Sequence, residues 1–234
     1  MIVIAAAGAS SRFKKEGILT PKFMLPLADK SVFDFVLESF KPYFQSQEFL
    51  IVTRDNNDAV AFLQERCRQN GIKNYEIISD ENPQGMFPSV YQGLKRTRFS
   101  LDQEIMIHVA DVFRRNLQMP LGNSRSLTID FERPASGDEN IESLFQILKN
   151  KCKGLGCYHF SSAEDFTAIY EKARAPKIRE YFGEKAMEIS EGVGMLIRAK
   201  ISGVDVKYRL IAPTDVVYCG TPLEYRNLPE NFAL

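Results

Sequence analysis

The sequence predicts an α/β domain built on a mainly parallel sheet, and three observations carry that prediction. The first half alternates short apolar runs with segments of helical periodicity, the pattern of parallel strands joined by right-handed crossovers. The runs are continuous rather than alternating, as expected of strands covered on both faces. With 234 residues, 44% hydrophobic and 26% charged, the chain can bury a substantial core, which excludes disorder and collagen-like repeats.

Ile2–Ala6 reads as the first strand, followed by strands over 49–53, 75–79 and 105–110. Between them, Ser31 begins a helix with Asp34 three residues on, a start similar to a capping box. Val32, Phe33, Val36, Leu37 and Phe40 then recur at helical spacing until Pro42. Residues 57–70 form a second helix with Val60, Leu63 and Cys67 on one face and Gly71 at the C-cap position. The second half is less regular, with strands expected over 126–131, 156–160, 205–210 and 216–219 and helices over 141–149, 163–173 and 191–200. The stretch 118–125 holds Pro120, Gly122 and Asn123 and is too short for a linker, so one domain is expected over residues 1–234.

Thirty basic and thirty acidic residues cancel, so no whole-chain field draws in nucleic acid or an anionic membrane, and any phosphate must meet a local cluster of cations. The apolar start is too short for a membrane helix and lacks the charged region of a signal peptide, which points to the cytoplasm. Cys67, Cys152, Cys157 and Cys219 are scattered and read as free buried thiols. A zinc site from Cys152, Cys157, His159 and Cys219 would have no usual ligand spacing, and none is expected.

The strongest chemical signal follows the first strand. Ala6-Ala7-Gly8-Ala9-Ser10-Ser11-Arg12 precedes a basic stretch and then Pro21-Lys22-Phe23-Met24-Leu25-Pro26. Small residues at the carboxyl end of a strand let backbone N–H groups approach phosphate oxygens, while Arg12 and Lys22 bring charge to where a polyphosphate would lie. Gly8 is not followed by the further glycines of a dinucleotide fingerprint, and no Gly-Lys-Ser/Thr marks a Walker loop.

This segment resembles the signature of the sugar-1-phosphate nucleotidyltransferases, Ala-Ala-Gly-x-x-x-Arg followed by Pro-Lys-x-x-Leu-Pro. The resemblance implies a Rossmann-like three-layer fold, with residues 1–115 as the NTP-binding half and 116–234 as the acceptor-binding half. It implies that residues 6–11 wrap the triphosphate, that Arg12 grips the departing pyrophosphate and that Lys22 contacts the reacting phosphates. Gln84-Gly85-Met86, before a helix expected to begin near Ser89, is similar to the family's base-reading Gln-Gly-Thr, with Met86 in place of threonine. It also looks like the corresponding segment of the molybdenum-cofactor cytidylyltransferases, which leaves the base open. Asp111, at the end of the fourth strand, matches the family's magnesium aspartate, and the carboxyl edge of a parallel sheet is where ligands collect. His108, in the same strand, reads as packed rather than catalytic.

Glu132-Arg133-Pro134 resembles the family's Glu-Lys-Pro acceptor motif, and Gly156-Cys157-Tyr158-His159-Phe160 resembles the Gly-x-Tyr-x-Phe strand, so Glu132, Arg133 and Gly156 become acceptor candidates. Tyr218-Cys219-Gly220-Thr221-Pro222 is similar to Asp-x-Gly-Thr-Pro, but tyrosine stands where the family places a second magnesium carboxylate; Asp215 is the candidate replacement. The implied activity is transfer of a nucleoside monophosphate from an NTP to a sugar 1-phosphate or similar small phosphate, with Mg²⁺ and release of pyrophosphate, for surface polysaccharide synthesis. Two other readings stay open: a non-catalytic nucleotide-binding or regulatory relative, and a cytidylyltransferase for an acceptor such as phosphocholine. No nucleic-acid or membrane partner is expected, and the sequence leaves homo-oligomerisation open.

Overall fold

A computed structural model of the chain describes residues 1–119, 125–134, 146–147, 152–172 and 191–228. Its strands, in chain order, are β1 (Ile2–Ala6), β2 (Pro26–Leu27), β3 (Lys30–Ser31), β4 (Glu48–Arg54), β5 (Asn74–Asp80), β6 (Ile105–Val109), β7 (Val112–Arg114), β8 (Ser126–Glu132), β9 (Gly154–Phe160), β10 (Asp205–Ile211) and β11 (Val216–Tyr218). The α-helices among the described residues are α1 (Ser11–Lys15), α2 (Val32–Glu38), α3 (Asn57–Gln69), α4 (Met86–Arg96), α5 (Ala163–Lys172), α6 (Glu191–Ile201) and α7 (Pro222–Arg226).

The central sheet has seven strands in the order β10-β8-β9-β6-β1-β4-β5. It is mainly parallel, as expected: β1 pairs in parallel with β4 and β6, β4 with β5, and β10 with β8. Strand β9 is the exception and runs antiparallel to both β6 and β8. The unbroken apolar runs divide between two cores, because successive side chains of a strand point to opposite faces. Val3, Leu50, Val52 and Ile107 join one core with Leu94 of α4 and Phe166 of α5. Ile2, Ile4 and Ile51 join the other with Phe33 and Leu37 of α2 and Leu63 of α3. Among the described residues, no helix is long and apolar enough to cross a membrane.

Ser31 caps α2 in a complete capping box with Asp34, and Asn56 caps α3 through Asp58 N and Ala59 N. Helix α2 ends at Glu38, before Pro42, which lies within a separate 3₁₀ turn over Lys41–Tyr43. Helix α4 begins at Met86, earlier than the expected start near Ser89, with Gly85 in its N-cap position at φ +140°. Strand β6 stops at Val109, giving Ala110 and Asp111 to a turn, and β11 stops at Tyr218. Strand β9 starts two residues ahead of the expected boundary, at Gly154. Most of the helix expected over 141–149, and Pro120, Gly122 and Asn123 of the expected loop, lie outside the described residues.

A buried ionic cluster ties the strands of the second half together. Asp130 of β8, fully buried, accepts from Arg114 of β7 at 2.8 Å and from Nε and Nη2 of Arg209 on β10, each at 2.8 Å. Burial alone would raise the Asp130 carboxyl, but His159 and Arg209 outweigh it and hold it well below the usual carboxylate range. Arg114 belongs to the β7–β11 ribbon, in which Val112 pairs with Tyr218, so this buried charge anchors the ribbon that carries two walls of the site described next.

Candidate active site

The loop leaving β1 is held by its own polar groups. Ser10 adopts φ 51° and its Oγ accepts the backbone N–H of Lys22 at 3.0 Å, so the residue that starts α1 also anchors the segment bearing Lys22. Phe13, fully buried with Phe35, Phe113 and Cys219, fixes α1 against the body of the protein. Across this loop Lys22 Nζ contacts Asp111 Oδ2 directly. Asp111 is set by the turn after β6, where its carbonyl accepts the N–H of Cys219 at 2.8 Å, bringing the C-terminal ribbon to the same point.

Two cavities meet there. The larger, of about 430 Å³, runs from Gly8, Ser11 and Arg12 past Lys22 and Asp111 to a far wall containing Lys153, Tyr218 and Glu224. The second, of about 320 Å³, is lined by Ala6, Ala7, Arg54, Pro83, Gly85 and Met86. Both share Gly8, Ala9, Lys22, Val109 and Asp111, so the residues at the junction face both spaces.

The sequence candidates are placed as follows. Residues 6–12, Lys22, Gly85, Asp111 and Gly156 line one cavity or both. Gly156 has φ +65°, and a Cβ there would sit 2.6 Å from Val109 Cγ2, so the wall tolerates only glycine at that position. Gln84 is exposed, donates to Asn82 Oδ1 at 2.7 Å and lines neither cavity. Glu132 accepts the hydroxyl of Tyr218, while Arg133 is exposed and uses its backbone N–H on the Ile211 carbonyl. Asp215 ends a 3₁₀ turn, offers its carbonyl to Arg115 N and does not line either cavity.

Two residues of the larger cavity carry no signal in the sequence. Glu224, on α7, accepts from Lys153 at 2.9 Å, and Lys153 Nζ also stands 3.2 Å from the centroid of the Tyr218 ring. An ideal Cβ on Gly220 would lie 2.6 Å from Asp111 Oδ2 and 3.6 Å from Glu224 Oε2, so the two carboxylates flank one point. Burial raises the Glu224 carboxyl, and the Lys153 ammonium overcomes that and leaves it below the ordinary value. Burial, and then the bond to Glu132, push the Tyr218 phenol far above its usual value, so it acts only as a neutral donor. The Gly-Thr-Pro turn positions Glu224, because Thr221 Oγ1 caps α7 by accepting Glu224 N at 3.1 Å. Its distance in sequence from Asp111 hides this pairing.

The oxygen-only donors at Asp111 and Glu224 suit a hard divalent cation. A second group with ligand atoms close together, Asp130, Cys157 and His159, lies within 4.8 Å of one another. Two arginine guanidiniums already occupy Asp130, and burial pushes the Cys157 thiol well up, so the carboxylate is compensated without a metal and the site already carries net positive charge. Burial likewise lowers His108 to about 4, which makes it a packed neutral imidazole, as the sequence suggests.

Residues 2–116 match the model of the MobA-like NTP transferase domain. Among solved structures, the chain is similar to the nucleoside-diphosphate-sugar pyrophosphorylase from Vibrio cholerae RC9, with 28% identity over 97% of this chain and 98% of that one and a TM-score of 0.76. It shares the fold of a putative glucose-1-phosphate thymidylyltransferase from Bacillus anthracis, at 13% identity over 100% and 96% of the two chains with a TM-score of 0.68. It also shares the fold of a CTP:phosphocholine cytidylyltransferase from Streptococcus pneumoniae, at 14% identity over 97% and 96% with a TM-score of 0.63. No curated protein matches the sequence significantly. The glycine loop and the Lys22–Asp111 junction agree with these likenesses: residues 2–116 match the MobA-like NTP transferase domain, and the whole chain has the fold of nucleotidyltransferases.

Proposed function

We propose that the protein transfers a nucleoside monophosphate from an NTP to a sugar 1-phosphate or similar small phosphate and releases pyrophosphate. The observation that carries this reading is the junction of the two cavities, where Lys22 and Asp111 face both. The cavity at Gly85 would take the nucleoside, and the cavity reaching Lys153 would take the acceptor. Residues 1–115 then act as the NTP half and 116–234 as the acceptor half.

In the reaction, an acceptor phosphate oxygen attacks the α-phosphorus, the bond from that phosphorus to the bridging oxygen breaks, and pyrophosphate leaves with the bond's electrons. The nucleophile is already an anion, so no general base is needed; the protein must hold two anions in line and offset their repulsion. Lys22 and Arg12 supply charge on the triphosphate side. Lys153 supplies it on the acceptor side, in place of Arg133, which is exposed and lines neither cavity. Mg²⁺ held by Asp111, with Glu224 rather than Tyr218 or Asp215 as the second carboxylate, would neutralise charge on the phosphates.

A requirement for NTPs would suit a cytoplasmic protein, and nucleotide-sugar formation would feed surface polysaccharide synthesis. The test is pyrophosphate release across the four NTPs, each against a panel of sugar phosphates and small phosphomonoesters including phosphocholine, with and without Mg²⁺. Release with one pair and none without acceptor supports the reading. Nucleotide binding without release under any condition would identify a regulatory relative instead.

A further inference from the structure

Arg54 is the last residue of β4, between the glycine loop and the 80–86 segment: Thr53 pairs with Ala6 of β1, and Arg54 pairs with Asp80 of β5. It lines the nucleoside cavity together with Gly8, Pro83, Gly85 and Met86. Its Nε is buried and has no hydrogen-bond partner, and its guanidinium makes no hydrogen bond or ion pair to any described residue. Lys22 differs, since its ammonium is already engaged by Asp111. Beside Arg54, Thr53 Oγ1 is fully buried and also unpartnered, in a smaller cavity that Arg54 shares.

A buried donor left unpaired in the fold costs free energy unless something accepts from it. We propose that Arg54 reads the nucleobase by donating to two adjacent acceptors on its edge. This rests on the nucleotidyltransferase reading and deepens it by restricting the base. A guanidinium offers donors only, in a rigid fork. Cytosine presents adjacent N3 and O2 acceptors, and guanine presents N7 and O6. Uracil and thymine carry an N–H at N3 beside each carbonyl, and adenine sets a donor at N6 next to N7, so neither satisfies the fork. Arg54 lies on the side of Pro83 and Met86, and the cavity it lines also holds Lys22 at the junction, while Arg12 and Lys153 line the other, so the triphosphate has cations of its own at the junction and beyond it. Gln84, the residue that sequence comparison nominates for the base, is turned to Asn82 instead.

The test is direct binding, by calorimetry in Mg²⁺, of CTP, GTP, UTP, ATP and inorganic tripolyphosphate to wild type, Arg54→Gln and Arg54→Lys. Removing Arg54 breaks no hydrogen bond or ion pair with a described residue, and thermal melts confirm that the variants are folded. The expected result is a wild-type preference for CTP or GTP, the two arms separating the bases. Arg54→Gln should lose roughly tenfold to a hundredfold of that affinity. Arg54→Lys should fail to restore it, and tripolyphosphate should bind all three proteins equally. Equal losses for nucleotide and tripolyphosphate would make Arg54 a phosphate contact and overturn the proposal, as would a preference for UTP or ATP. Binding of tripolyphosphate but of no nucleotide would overturn the function itself and this inference with it.

Discussion

Lys153 Nζ lies 3.2 Å from the centroid of the Tyr218 ring and 2.9 Å from Glu224 Oε1, so one ammonium joins the residue that replaces the family's second carboxylate to the carboxylate that stands near Asp111. Under the proposed function, the metal and the acceptor would share this one wall. Neutralising Glu224 should weaken metal binding, whereas neutralising Asp215 should not. With Mn²⁺ as a spin-active substitute and nucleotide present, Glu224→Gln should lower affinity by on the order of tenfold or more, and Asp215→Asn should match wild type. The reverse order would return the second ligand to the turn before β11.

Lys22 pairs with the Asp111 carboxylate and would compete with a divalent cation for it. Lys22→Ala should reduce turnover by about a hundredfold, a larger factor than its effect on NTP affinity, because its charge matters most as the transferring phosphate gains charge. The same variant frees Asp111, so Mg²⁺ without nucleotide should bind more tightly than in wild type. An unchanged rate would remove Lys22 from the reacting centre.

Asp111→Asn keeps the shape and removes the charge. The Lys22–Asp111 pair is mostly buried, so its loss should destabilise the fold by about 1–3 kcal/mol, within reach of a urea titration. Activity and its magnesium dependence should both fail. Wild-type magnesium dependence in the variant would show that another carboxylate holds the metal.

The buried ionic cluster makes a stability prediction that separates fold from function. Asp130→Asn leaves Arg114 and part of Arg209 without their carboxylate and should cost roughly 3–5 kcal/mol in urea unfolding. A loss below 1 kcal/mol would mean that water reaches the cluster.

His108 sets a pH dependence. Its folded value is lowered from 6.5 to about 4, so the unfolded chain binds the extra proton first as pH falls. Its contribution is complete above pH 6.5 and is lost on descending to about 4, a change of roughly 3 kcal/mol. His159, also lowered mainly by burial, acts in the same direction, while Asp130, being depressed, weakens stability only below the ordinary carboxylate range. Urea midpoints between pH 7.5 and 4 should fall in wild type and flatten in His108→Leu, which cannot take up the proton; parallel profiles would clear His108 of the effect.

Much of the fold was legible because local rules and tertiary demands agree in the first half. Continuous apolar runs became β1, β4, β5 and β6, and Ser31 with Asp34 made the capping box, since burial on both faces and a cap leave direct marks in composition and spacing. Residues 6–12, Lys22 and Asp111, singled out in the sequence, line the two cavities, and the proposed approach to phosphate gives a reason for small residues and cations close together in the chain. Tertiary structure alone decided the antiparallel placement of β9, the ribbon of β7 and β11, and the far wall of the site. Glu224 and Asp111 flank one point at Gly220, and Arg54 has no hydrogen-bond or ion-pair partner among the described residues. Such relationships depend on which strands lie side by side and on which charges are already satisfied, and neither is written in the spacing of residues along one chain.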